Sequence, residues 1–173
     1  MSAIQTKIDE IVNFNNEKVM QVMALRATVL DRMIAVRNVV LLTDMAEMKP
    51  EVQRIHDQQA MFVTAETHLG KLLEDASTTE SEKTLLLRIR EKHEMVLPLL
   101  DKAIQLGLEN KVPEATKVLI GEIRPVQKML VGELGAMAEL EEKLSKEAGI
   151  EAHATYESAR NMLFLLGAFA FVL

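Results

Sequence analysis

The sequence predicts an all-α protein, an antiparallel up-down-up-down four-helix bundle with long first and fourth helices. Three observations carry that reading. Punctuating residues are scarce, with 7 Gly and 4 Pro in 173 residues, while Ala, Leu, Glu, Lys and Met abound. Apolar residues recur at three- and four-residue spacing in four long runs, and no stretch alternates as a strand would. The joins between runs are short and polar, which makes consecutive helices antiparallel neighbours.

The first helix is expected from about Ala3 to Thr43, roughly 60 Å at ~1.5 Å per residue. Counting sevens from Ile4 places Ile4, Ile11, Leu25 and Val39 on one seam, with Ile8, Val22, Val29 and Val36 on its companion. Arg32 occupies the first seam, and Arg37 follows Val36. DMAEMKP breaks the helix, and Pro50 suits the first turn of helix two. Helix two carries Val52, Ile55, Gln59, Phe62, Leu69 and Leu73 on one face. Ala76 to Thr79 is a polar turn whose Thr79, or Ser81 just after it, suits an N-cap. Helix three presents Leu86, Ile89, His93, Val96, Leu100 and Ala103, is expected to bend at Pro98, and stops near Gly107 to Asn110. Pro113 opens helix four, whose seam runs through Leu119, Ile123, Val126, Leu130, Met137, Leu140 and Leu144. Pro125 removes one donor from that helix and leaves the Gly121 carbonyl without its usual partner.

Residues 1–160 are read as one bundle domain. Met162 to Leu173 is an uninterrupted apolar run, shorter than the ~20 residues a bilayer span requires. Residues 161–173 are therefore read as the start of a second transmembrane helix, with Tyr156 and Arg160 as interface anchors. The alternative is a buried C-terminal helix.

Several function classes drop out. A net charge of −6 gives no basic footprint for nucleic acid. The chain has no Cys, which removes disulfides, thiolate zinc sites and covalent haem. A di-iron bundle needs Glu-x-x-His on two helices. Here Glu66 and His68, Glu91 and His93, and Glu151 and His153 are two apart and diverge on a helix. No phosphate loop or nucleophile elbow occurs, so no enzyme activity, metal or cofactor is expected. His93 reads as a satisfied core histidine.

What remains is charge in an apolar seam. A guanidinium stays charged when buried and needs a partner. Counted from the loops at the far end, Arg32 and Arg124 lie ~16 Å deep and Gln59 ~14 Å deep. Leu99 and Leu100 face them from helix three, Arg37 lies higher, and no acid shares the seams, since Asp31 and Glu122 point elsewhere. Such a layer suits a small carboxylate, because an arginine fork binds carboxylate oxygens bidentately. Arginines paired with acids of a neighbouring subunit, or arginines snorkelling over the surface, explain the same pattern. Arg26 is level with Glu66 and His93 and reads as part of an internal network. Thr116, with Thr43 and Thr64, supplies a hydroxyl near the same end.

The run from Val36 through Arg37, Asn38 and Val39 to Asp44 and Lys49 resembles the sensing module of bacterial methyl-accepting chemotaxis proteins. So do the Val96-Leu97-Pro98-Leu99-Leu100 stretch and the Glu122-Ile123-Arg124-Pro125-Val126-Gln127 stretch. The resemblance spans about residues 4 to 160 and is to the periplasmic four-helix module of the aspartate-receptor type. It implies a homodimer or higher oligomer between two membrane helices, held in the inner membrane with this domain in the periplasm. It also implies a small-ligand site at the membrane-distal end, using Arg32 and Arg37 of helix one and Thr116 or Arg124 of helix four. The family's third helix-one arginine is Leu41 here, which widens the expected ligands from amino acids to di- or tricarboxylates, such as malate or citrate, and aromatic acids. Displacement of helix four would carry the signal. The same module on a sensor kinase or cyclase, or a structural dimerisation bundle, are the alternatives.

Overall fold

The computed structural model describes the backbone of residues 2–172 and the side chains of residues 13–162. It is built from helices alone: α1 (Ser2–Leu41), α2 (Met45–Leu72), α3 (Glu80–Leu108), α4 (Val112–Val118), a π-helical turn (Leu119–Ile123) and α5 (Arg124–Val172). The last three run on without a break, so they form one fourth rod. The predicted four-helix bundle is what the chain adopts.

Side-chain pairs fix the direction of each helix. Asn38 donates to Glu51 at 3.0 Å, and Arg54, further along α2, reaches back to Asp31 on α1. Arg90 of α3 binds Glu66 of α2, and His93 lies 3.1 Å from Gln59. Lys102 of α3 binds Glu122 at 2.9 Å, while the earlier Arg88 reaches the later Glu133 at 4.0 Å. In each case one index rises as the other falls, so consecutive helices are antiparallel.

Local chemistry sets the boundaries. Asp44, not Pro50, begins helix two: its carboxylate accepts from the Ala46 amide at 2.8 Å. The cap captures an end donor that would otherwise be unpaired. Pro50 therefore sits inside the helix rather than at its first turn. Thr79 caps α3 in a capping box, its hydroxyl accepting from the Glu82 amide and its own amide donating to Glu82. The α3–α4 join turns on Asn110, whose φ of 54° is tolerated by asparagine. The π turn ends directly before the Pro125 dipeptide Arg124–Pro125, and the Arg124 amide bonds the Leu119 carbonyl, five residues back. The helix thus widens by one residue just before the proline.

The chain divides into two compact units. The unit Met20–Ala138 holds the core, including Val22, Leu25, Val29, Ile55, Phe62 and Ile89. Gly107 is required there, because a Cβ would lie 2.9 Å from the Val39 carbonyl oxygen of α1. The other unit comprises Met1–Val19 with Glu139–Leu173. Within it Lys18 and Glu141 are buried, Lys18 lies 4.9 Å from the Phe14 ring centroid, and the Ser145 hydroxyl donates to Asn16 at 3.1 Å. Among the described residues no helix is long and apolar enough to cross a membrane. The proposed membrane segment falls, from residue 163 onward, outside the residues whose side chains are described.

Candidate functional site

The described part of the predicted inner seam of α1 is buried as expected, while Ile4, Ile8 and Ile11 lie outside the residues whose side chains are described. Val22, Leu25, Val29, Val36 and Val39 are all at most 1% exposed, and Arg32 among them is only 2% exposed. Its Nη1 donates to Gln59 Oε1 and to His93 Nε2, the latter at 3.1 Å. Its Nε is buried without a hydrogen-bond partner. Among the described residues no carboxylate lies within ion-pair distance of it, and the guanidinium pKa is lowered to about 10 because burial disfavours the charge.

One face of this layer is aromatic. The His93 and Phe62 rings stack, with centroids 3.8 Å apart and planes 18° from parallel, and the Arg32 guanidinium carbon lies 5.9 Å from the Phe62 centroid. His93 is buried, and its pKa is pushed down to about 4, first by desolvation and then by the Arg32 charge. Because Nε2 accepts from Arg32, the neutral ring carries its proton on Nδ1. The nearby acids are already committed: Asp31 to Arg54, Glu66 to Arg90, Glu122 to Lys102.

The structure brings Arg32 and Gln59 together and leaves the other predicted residues outside this cluster. Arg37 and Arg124 are exposed, and Thr116 is half-buried. From α3 the layer receives His93, where Leu99 and Leu100 were expected. Arg26 is exposed and forms no network with Glu66, which Arg90 binds instead. The depth count failed here because it used Cα positions. An arginine side chain spans several ångströms, so Arg32 reaches a partner, His93, whose backbone lies at a different level. His93 and Phe62 were the missed members; their signal was seam position opposite Arg32, hidden by that error.

α1 carries a second seam on its outer side. Met20, Met23, Ala27, Leu30, Ile34, Arg37 and Leu41 follow three- and four-residue spacing. Its large apolar members are between 46% and 72% exposed. A groove between α1 and α2 adjoins this face, lined by Ala24, Ala27, Thr28, Ile34, Met61 and Thr64.

No curated protein matches the chain. Residues 1–156 match the family described as a four helix bundle sensory module for signal transduction. That span takes in both seams and the buried arginine layer, and the chain belongs to this family of four-helix-bundle sensory modules, the type found in methyl-accepting chemotaxis proteins.

Proposed function

We propose that this module is the extracytoplasmic sensor domain of a transmembrane chemoreceptor and that it binds a small organic acid. The observation that carries the reading is Arg32: a buried guanidinium with a free Nε and only neutral partners, Gln59 and His93. An uncompensated charge in a bundle costs several kcal/mol. An incoming carboxylate would offset that cost and accept two donors of the fork at once. Dicarboxylates, tricarboxylates and aromatic acids are the candidate ligands. Arg124 and Thr116 would serve it from outside the layer.

The signal would pass along the fourth rod. That rod is helical from Val112 to Val172, so an axial shift near the π turn has a continuous path towards the C-terminus. Shifts of ~1–2 Å are usual for such helices, and a ligand drives one only through its differential affinity for the two positions. The outer seam of α1 supports a homodimer, since a repeated three- and four-residue apolar stripe suits pairing with a second copy. Arg37 lies on that stripe and would face the partner copy.

Calorimetric titration with malate, citrate, aspartate and benzoate tests the site. Heat is expected from at least one acid, and Arg32→Ala should abolish it. Silence from every acid, or an Arg32→Ala variant that binds as before, would overturn the assignment.

A further inference from the structure

Three polar atoms in the Arg32 layer form a triangle: Arg32 Nη1, Gln59 Oε1 and His93 Nε2, with both edges at His93 measuring 3.1 Å. Arg32 Nη1 has two hydrogens and satisfies two edges. The third edge sets two acceptors, Nε2 of a neutral imidazole and the amide oxygen, against each other with no proton between them. That edge becomes a hydrogen bond only when Nε2 carries a proton, and the neutral Nε2–H tautomer that would supply one sets Nε2 against Arg32 Nη1, donor to donor. Protonation in turn would leave two cations in contact, so the resting layer is frustrated in one way or the other.

We propose that His93 is the second, switchable cation of the site, so that a dicarboxylate bound at Arg32 is taken up together with one proton. The inference rests on the reading of Arg32 as the anion site. When a carboxylate occupies the guanidinium, Arg32 no longer needs Nε2 as acceptor, and its charge is neutralised. A proton from solvent then adds to the Nε2 lone pair, and the new N–H donates to Gln59 Oε1 or to the ligand's second carboxylate. A dicarboxylate matches the two positive charges so produced.

The surroundings leave that role to His93. From α1 it meets Arg32, and from α2 it meets Gln59 and the Phe62 ring. Glu66 of α2 is held by Arg90, and Glu133 of α5 by Arg88. On α3 itself Lys92 pairs with Glu91, and Glu94 is exposed. Desolvation lowers its basicity most, and the Arg32 charge lowers it further; a bound anion would cancel that second contribution. The other described histidines, His56, His68 and His153, are exposed.

The test titrates the full chain with succinate and propionate near pH 6 in two buffers of different ionisation enthalpy. Succinate should bind with uptake of roughly one proton, and its Kd should fall up to about tenfold per pH unit on acidification. In His93→Gln the uptake should vanish and the affinity should lose that pH dependence. Ring-proton NMR of the unmodified chain gives a reading that needs no variant: the buried histidine should shift to its protonated position on adding succinate. Succinate binding without proton uptake, or uptake that persists in His93→Gln, overturns this inference and leaves the Arg32 site standing. Binding of neither acid, nor of the wider acid panel, overturns both.

Discussion

Arg32 and Arg37 lie little more than a turn apart on α1, yet one is 2% exposed and the other is exposed to solvent. The difference is one of seam. Arg32 shares its face with Leu25 and Val39 and is carried into the core. Arg37 shares its face with Leu30, Ile34 and Leu41, which stay open to solvent. A helix of 3.6 residues per turn can present two such stripes, and α1 does: one packs within the chain and the other stays open to solvent. The same side chain is therefore an electrostatic liability on one stripe and a free contact on the other.

The largest expected effect comes from breaking the inner layer at its aromatic wall. Phe62 is 1% exposed and stacked on His93, whereas Met61 beside it lines the outer groove and is 57% exposed. Phe62→Ala should cost about 3–5 kcal/mol in urea unfolding, and Met61→Ala within about 0.5 kcal/mol. Comparable losses at both positions would mean that the groove is packed as tightly as the core.

Next in size is the pH response of the inner layer. The His93 pKa falls from 6.5 to about 4 on folding, so between those values the unfolded chain binds more protons than the folded one. Stability must then fall as pH drops through that window, by about 3 kcal/mol once below both values. His93→Gln should remove this share of the acid sensitivity, read as flatter urea midpoints from pH 6.5 to 4.

Much of this was legible beforehand, for identifiable reasons. Burial follows heptad spacing, so the inner seam of α1 and the α3 face from Leu86 to Ala103 could be read directly. Thr79 was legible because a capping box has a three-residue signature. Pro50 misled, since proline is tolerated at more than one position of the first turns while Asp44 supplies the cap that decides the start. The π turn was half legible: Pro125 announced a lost donor, but not that the helix would widen just before it. The partners of Arg32 were partly hidden because they depend on side-chain reach. Gln59 emerged from a Cα count, and His93 did not. Arg124 looked equivalent to Arg32 in depth, but flanking a seam rather than occupying it is enough to release a long side chain to water.

The smallest effect on the chain's own stability should come from the outer seam, and there the informative readout is association. Ile34 is 48% exposed and lies midway between Leu30 and Arg37 on that stripe. Ile34→Glu buries no charge in the single chain, so unfolding of dilute protein should change by no more than about 0.5 kcal/mol. If α1 pairs with a second copy along this face, the same substitution places two carboxylates in a shared apolar seam, and sedimentation should register loss of the dimer at concentrations where the parent is paired. Arg37→Ala should act more weakly, because a seam arginine can still turn its head to solvent. An Ile34→Glu variant that sediments like its parent would detach Arg37 from any shared site and leave ligand recognition to the Arg32 layer alone.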